Sequence, residues 1–321
     1  MKRILSALLC AAVCLTGFSG CGTPAKESSR LKLLASFYPI AIMALNITDG
    51  VEGVAVESMA QQQTGCLHDF QMTTADMKKA ETADAFLING AGMEGFLDKI
   101  SDQLPELPVI DSSTGIPLIA SGEDHHHDGG EGHDHDQEDY NPHLWVSITN
   151  CMEQVRNLSE GIIALDPEHE AEYRENTETY LEKLSALRDK MHSALDHVKN
   201  KDIITFHEAF PYFAEEFGLH IAAVINREPD SQPSAKELAD TITHTALCGL
   251  GQSACKPVQS TLKYFRNEYL AHVVTSADII AAETGAQVYV LDPAVSGEWD
   301  KNAYLTAMES NLQVLEQALN S

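Results

Sequence analysis

The sequence predicts an α/β protein in which two lobes with parallel sheets are joined by one long rigid helix. Short apolar segments alternate with amphipathic stretches, which is typical of parallel βαβ units. This alternation occurs twice, before and after a long helical segment. The length of 321 residues suggests about two domains, and a hydrophobic content of 44% is ordinary for a globular chain.

The first lobe is predicted over residues 31–165 and the second over residues 201–321. The stretch Thr74–Ala83 predicts a helix of the first lobe, between two of its strands. Strands of the first lobe are predicted at Leu31–Phe37, Val51–Met59, Ala85–Asn89 and Val109–Asp111. Strands of the second lobe are predicted at Ile203–His207, Ile221–Ile225, Val273–Thr275 and Gln287–Leu291.

Residues 166–200 are predicted to connect the lobes. Asp166 and Pro167 form a helix-start pair, in which the Asp side chain caps the helix and Pro occupies its first position. Apolar residues at steps of three and four mark one face of Glu168–Asn200, which contains no Gly or Pro. A helix of these 33 residues would be about 50 Å long. It would act as a rigid strut between the lobes or, alternatively, pack along one of them.

Residues 1–20 have the regions of a secretory signal peptide. Two basic residues precede the uncharged segment Ile4–Phe18, and small residues lead to Cys21. The end of this segment resembles a bacterial lipobox, in which the cysteine receives lipid; the alternative is a plain signal with an incidental cysteine. Residues 21–30 would then be a flexible, lipid-anchored linker. We therefore expect an exported protein, lipid-anchored to the outer face of the cytoplasmic membrane or periplasmic.

The charge excludes one class of partner and marks one segment. A formal net charge of -27 makes nucleic acid an unsuitable partner, because binding that polyanion requires Lys and Arg. Residues 123–139 hold eight of the acidic side chains and are expected to form a mobile loop. Such a His-rich segment would bind metal ions weakly, or would simply be a solvated charged segment. Its histidines are His125, His126, His127, His133 and His135.

Four polar residues near predicted strand ends are candidate metal ligands, because parallel α/β sheets bind ligands at the carboxyl ends of strands. His207 and Asp292 each directly follow an apolar run, His68 lies in the loop after the second strand, and His143 lies just past the His-rich loop. Three imidazoles and one carboxylate suit Zn²⁺ better than Mn²⁺ or Fe²⁺. Taken singly, each histidine is more often an ordinary surface or core residue.

Several ordered segments resemble the metal-binding solute-binding lipoproteins of bacterial ABC importers, the zinc and manganese family. The matching segments are ASFYPI at 35–40, His68-Asp69-Phe70, ADAFLINGAGMEGFLDK at 83–99, NPHLW at 141–145, TFHEAFPYFAEEFGL at 205–219, SAKELAD at 234–240 and AAETGAQVYVLDP at 281–293.

The resemblance implies a metal site in a cleft between the lobes, with His68, His143, His207 and Asp292 as ligands. It also implies Zn²⁺ as the transported ligand and an ABC permease in the cytoplasmic membrane as partner. Manganese-binding members commonly carry Glu at the third ligand position, so His207 is similar to the zinc-preferring form. A His-rich loop just before the second ligand is likewise similar to zinc-specific members.

The expected function is therefore that of a zinc receptor for an ABC importer. The alternatives are a receptor for Mn²⁺ or Fe²⁺, a zinc hydrolase and an adhesin. An enzyme is not expected, because Asp292 would close the metal shell that catalytic zinc leaves open. His207-Glu208 also lacks the second histidine of HExxH. Nothing in the sequence encodes a host ligand for an adhesin.

Two further expectations concern the surroundings of the site. Glu208 and Asp69 adjoin ligands and are candidates to orient the imidazoles. Phe37, Tyr38 and Trp145 would line the cleft or simply pack in the core.

Thr243–Ser276 does not match the family pattern. It has either diverged or is the product of compensating frameshifts, which would make Cys248 and Cys255 artefacts. The four cysteines Cys66, Cys151, Cys248 and Cys255 could form up to two disulfides in an oxidising compartment.

Overall fold

The computed structural model describes residues 31–60, 70–121, 140–205, 207–224 and 287–320. Several predictions lie outside the described residues: the signal peptide with Cys21 and the linker, His68 and Asp69, the His-rich loop, the strand Val273–Thr275, and the unmatched stretch Thr243–Ser276. Of the four cysteines above, Cys151 is described, and it is a buried free thiol.

The first sheet has four parallel strands in the order β2-β1-β3-β4. All four strands were predicted, and three are shorter than their apolar runs. The central strand β3 is buried along its whole length, as expected for a strand covered on both faces. The strands are β1 at Leu31–Ala35, β2 at Val54–Ser58, β3 at Ala85–Ile88 and β4 at Val109–Asp111.

Helices follow these strands, and their starts are set by local chemistry. Thr73 and Asp76 form a capping box at the start of the predicted helix, which ends at Glu81. Ser147 caps a later helix by accepting a hydrogen bond from the Asn150 amide. The helices of this part are α1 at Tyr38–Ile47, α2 at Thr74–Glu81, α3 at Leu97–Gln103 and α4 at Ile148–Leu165.

The predicted connecting helix is present but shorter than expected. A 3-10 turn at Pro167–His169 leads into α5 at Glu170–Leu195, whose 26 residues span about 39 Å. The Asp166 side chain does not cap it; its carboxylate instead accepts hydrogen bonds from Tyr173 Oη and His169 Nδ1, each at 2.7 Å. The helix ends at Leu195, five residues before the end of the predicted segment.

Helix α5 is packed along its length rather than standing free. Its buried face contacts α1 and α4 of the first lobe and also α7 at Ala303–Asn320. It therefore joins both parts of the chain through a shared apolar core, which includes Leu33, Trp145, Leu184 and Leu312.

The second sheet is described as two parallel strands, β5 at Asp202–Thr205 and β6 at His220–Val224, with α6 at Pro211–Glu216 between them. The predicted strand Gln287–Leu291 is wrong: residues 287–293 are described and form no strand. Val290 is 82% exposed, so the described residues supply no sheet neighbour for this apolar run. Across the described ranges, no helix is long and apolar enough to cross a membrane.

Candidate metal site

His143 and His207 face each other through their Nε2 atoms, which are 3.2 Å apart. Their ring centroids are 5.0 Å apart, and the ring planes are nearly perpendicular. Two imidazole nitrogens bound to one tetrahedral Zn²⁺ at about 2.05 Å would lie about 3.3 Å apart. This separation fits two ligands of one zinc ion, and it is also that of a direct hydrogen bond between the two rings.

Each histidine is positioned by the element next to it. His143 immediately precedes the 3-10 turn Leu144–Val146 and is buried, with 4% of its surface exposed. His207 lies just beyond β5, at the carboxyl end of a parallel strand, as the sequence predicts. The ring of Trp145 lies beneath His143, with centroids 5.4 Å apart.

Asp292 is described, but the structure does not bring its carboxylate into the histidine pair. Its Oδ1 accepts a hydrogen bond from the Ala294 amide at 2.7 Å. Its backbone is held by the Asn311 side chain, which accepts from Asp292 N and donates to Asp292 O, both at 2.7 Å. Within the described ranges, no group of three His, Cys, Asp or Glu side chains is close enough to hold a metal ion.

A hydrogen bond between neighbouring residues nevertheless ties the segment of Asp292 to the segment of His143. Trp145 Nε1 donates to the carbonyl of Pro293 at 2.7 Å, so the segment of His143 touches the segment of Asp292. Tyr38 lies close enough to Asp292 to feel its charge. Burial raises the pKa of the Tyr38 phenol, and the negative charge of Asp292 raises that pKa further. Of the four predicted ligands, His143 and His207 are paired, Asp292 lies outside that pair, and His68 lies outside the described residues.

The polar neighbour of the His143 ring is Asn141, which the sequence analysis did not select. Asn141 Oδ1 lies 3.0 Å from His143 Nδ1. Glu208 contributes its backbone carbonyl, which accepts from Asn141 Nδ2 at 2.7 Å. An Asn side chain commonly accepts a hydrogen bond from the backbone amide two residues later, as Asn141 does from His143. The sequence Asn-Pro-His was therefore the local signal that could have predicted this contact.

The aromatic residues serve the core. Phe37 and Trp145 pack edge to face with centroids 5.1 Å apart, and both are buried. Tyr38 donates its hydroxyl to the Glu298 carbonyl at 2.6 Å. Phe37 and Trp145 therefore pack in the core, and the Trp145 ring also lies against His143.

A buried polar network under the site was also not predicted. Glu94 accepts hydrogen bonds from Ser36 Oγ at 2.7 Å and from the amides of Asn89 and Gly90 at 2.8 and 3.1 Å. Asn89 Nδ2 in turn donates to the Pro142 carbonyl at 2.9 Å, directly before His143. Burial raises the pKa of Glu94 to about 7, although its three donors act in the opposite direction.

Two parallel sheets, a long helix between them in sequence and a facing pair of imidazoles define an α/β protein with a candidate metal site. The chain belongs to the family described as "Zinc-uptake complex component A periplasmic", which residues 33–251 match. The family match ends at residue 251, inside Thr243–Ser276, the stretch that does not follow the family pattern. Because Asp292 lies beyond residue 251, the match carries no information on Asp292 as a ligand.

Two curated relatives have similar identities but different lengths. The zinc-binding lipoprotein AdcA of Streptococcus pneumoniae is 28% identical over 327 residues, which cover 99% of this chain and 61% of AdcA. The high-affinity zinc uptake system protein ZnuA of Bacillus subtilis is 28% identical over 334 residues, covering 99% of both chains. The chain thus spans about three-fifths of the streptococcal relative.

Solved structures confirm the fold. The Zn(II)-bound ZnuA-like domain of Streptococcus pneumoniae AdcA superposes with a TM-score of 0.66 at 22% identity, covering 91% of this chain and 100% of that domain. The solute-binding protein FpvC of Pseudomonas aeruginosa, in complex with Ni²⁺, gives a TM-score of 0.65 at 22% identity, covering 90% and 97%. The family description and the lipoprotein relative indicate an exported protein, in agreement with the signal peptide.

Proposed function

We propose that this chain is an extracytoplasmic receptor that binds Zn²⁺ and delivers it to the permease of an ABC importer. The observation that carries the proposal is the 3.2 Å separation of His143 Nε2 and His207 Nε2, which suits two ligands of one zinc ion. The names of the relatives, which describe zinc binding and zinc uptake, support the same cargo.

The proposed ligand set is His68, His143, His207 and Asp292. Three neutral imidazoles and one carboxylate form a nitrogen-rich shell of the kind that zinc accepts. Asp292 has to move to join the pair, and the residue after it, Pro293, is tied to Trp145 by a hydrogen bond.

Zinc is favoured over Mn²⁺ or Fe²⁺ as cargo. Most nitrogen and oxygen sites bind zinc more tightly than manganese, and two close imidazoles increase that preference. Because FpvC, which shares the fold, binds Ni²⁺ in its structure, the fold alone does not select the metal. The imidazole of His207 is the local feature that argues for zinc.

The protein is proposed to be a receptor and not a zinc hydrolase. Both relatives are named for zinc binding or uptake. A fourth protein ligand, Asp292, would occupy the position that a catalytic zinc keeps for water. No feature of the described residues points to an adhesin.

Attachment to the membrane is proposed through a lipid on Cys21, with residues 21–30 as the tether. The support is the lipobox-like sequence before Cys21 and the lipoprotein name of the streptococcal relative. Mass spectrometry of the native protein would show a diacylated N-terminal cysteine; an unmodified N-terminus would contradict this.

The loop 123–139 is proposed to bind additional zinc weakly and to supply the main site. Deletion of residues 124–138 should slow growth under zinc limitation while leaving the main site intact. Unchanged growth would favour a merely solvated loop.

The test of the function is metal analysis of the tag-free mature protein, purified without chelator, beside His207→Ala. His220→Ala is the matched control, because His220 is an exposed histidine that pairs with Asp202 on the surface. One tightly held zinc per chain, lost in His207→Ala and kept in His220→Ala, is expected. Stoichiometric manganese or iron would overturn the cargo, and the absence of any stoichiometric metal would overturn the receptor.

A further inference from the structure

The side-chain amide of Asn141 has only one possible orientation. Its Nδ2 lies 2.7 Å from the carbonyl oxygen of Glu208, which can only accept a hydrogen bond. Its Oδ1 lies 3.0 Å from the backbone amide of His143, which can only donate. If the oxygen and nitrogen were exchanged, the side-chain oxygen would face the Glu208 carbonyl and the side-chain NH₂ would face the His143 amide, and neither pair could form a hydrogen bond. The amide orientation is therefore determined by its backbone partners.

This orientation determines the tautomer of His143. The Nδ1 atom of His143 lies 3.0 Å from the same Oδ1, which can only accept, so Nδ1 must carry the hydrogen. A neutral imidazole has one N–H, and its other nitrogen therefore presents a lone pair. That nitrogen is Nε2, the atom that faces His207 Nε2.

Asn141 is itself held firmly. It is 2% exposed, its backbone amide donates to the Ile119 carbonyl at 2.8 Å, and its carbonyl accepts from Tyr212 Oη at 2.8 Å. The same hydroxyl accepts from the Ile119 amide at 3.0 Å. Because Tyr212 belongs to α6, which follows His207, these bonds fix Asn141 to both histidine segments.

We infer that Asn141 is a positioning residue of the metal site: it fixes the metal-binding tautomer of His143 and joins the His143 segment to the His207 segment through the Glu208 carbonyl. This inference deepens the proposed function and rests on it for the identity of the metal. The tautomer itself is a property of the metal-free protein.

The first measurement uses the wild-type protein without metal. The spectrum is a long-range ¹H–¹⁵N correlation of the labelled chain, with His143→Gln to assign the signals. It should show the neutral His143 ring protonated at Nδ1 and unprotonated at Nε2. The opposite tautomer would overturn the inference. This result does not depend on zinc, so it remains informative even if the chain binds no zinc and the proposed function fails.

The second measurement compares zinc affinity in three variants by competition with a chelator. Asn141→Ala should bind zinc about 10- to 100-fold more weakly, the usual effect of removing a group that orients a ligand. Asn157→Ala is the matched control, because Asn157 also donates to two loop carbonyls, those of Ser112 and Thr114, away from the site. Its affinity should change less than about twofold.

Asn141→Asp separates the two roles. The carboxylate can still accept from His143 but cannot donate to Glu208, so the tautomer should persist and the affinity loss should be smaller than in Asn141→Ala. Equal affinity in Asn141→Ala and Asn157→Ala would overturn the positioning role. If Asn141→Ala does not fold, the wild-type spectrum and Asn141→Asp still decide the question, because loss of the Nδ1 proton in either contradicts it.

Discussion

The indole of Trp145 donates a 2.7 Å hydrogen bond to the carbonyl of Pro293, and these residues are 148 positions apart in the sequence. Trp145 lies two residues after His143, and Pro293 directly follows Asp292. The backbone carbonyl of Trp145 also accepts from Tyr304 Oη of α7 at 2.7 Å. Trp145 therefore connects the segment of the buried His143 to the segment that carries the Asp292 carboxylate.

Trp145→Phe should weaken both folding and zinc binding. The substitution keeps an aromatic ring but leaves the Pro293 carbonyl without its donor, which should lower the free energy of unfolding by about 1–3 kcal/mol. Zinc affinity should fall because Asp292 is less well placed. Urea denaturation and chelator competition measure the two effects. Tyr173→Phe, which loses a hydrogen bond to Asp166 far from the site, should be destabilised without losing zinc affinity.

Glu216 should stabilise the contact between α6 and α4. Its carboxylate accepts from Ser147 Oγ at 2.7 Å and from Thr149 Oγ1 and N at 2.6 and 3.1 Å, at the start of α4. An acidic group at a helix N-terminus is favourable. Glu216→Gln should lower the free energy of unfolding by about 1–2 kcal/mol, measured by urea denaturation. The control is Glu215→Gln, because Glu215 is the exposed neighbour of Glu216. An equal loss of unfolding free energy in Glu215→Gln would contradict a specific role for Glu216.

Glu94 should make stability depend on pH in an unusual direction. Burial raises its pKa from 4.5 to about 7 in the folded protein. Because the folded-state value is the higher one, the contribution to stability is complete below about pH 4.5 and is lost as pH rises through about 7. The loss is on the order of 3 kcal/mol.

Glu94→Gln removes this titration. The difference in unfolding free energy between wild type and Glu94→Gln should therefore shift in favour of the variant between pH 4.5 and pH 7.5, and then stay constant. Denaturation curves at four or five pH values test this. A difference that does not change with pH would show that Glu94 is ionised throughout, held by Ser36 and the amides of Asn89 and Gly90.

Zinc affinity should fall in acid. The proposed site needs neutral imidazoles and an ionised Asp, and an ordinary histidine gains a proton near pH 6.5. Below that pH, each protonated ligand should lower the affinity by up to about tenfold per pH unit. Competition titrations at pH 7.5 and pH 5.5 measure this. An affinity unchanged across this range would contradict a site built on His143 and His207.

The strands of the first sheet could be predicted because their signals are local. Ala85–Ile88 is a continuous apolar run of strand length, and Leu31–Ala35 is apolar except for Lys32. The apolar run before Asp292 has the same local signal but forms no strand. A strand also requires a hydrogen-bonded neighbour, and a pattern of hydrophobicity does not show whether one is present.

The family resemblance implied that His143 and His207 converge, as their 3.2 Å Nε2–Nε2 separation shows, but it did not give the roles of Asn141, Glu216 and Asn311. Asn141 and Glu208 are 67 positions apart, and no local periodicity relates them. The polar Asn311 on the apolar face of α7 was a visible signal, since it interrupts Met308, Leu312 and Leu315.

By itself, the sequence determined the fold class, the exported location and the long helix, because each is encoded by composition, periodicity or a local motif. The convergence of His143 and His207 was implied by the family resemblance. Only the tertiary structure decided where α5 ends, that Asp292 is held by Asn311, and which side chain orients His143. These depend on hydrogen bonds between residues distant in the chain, whose partners are chosen by packing and not by neighbouring sequence.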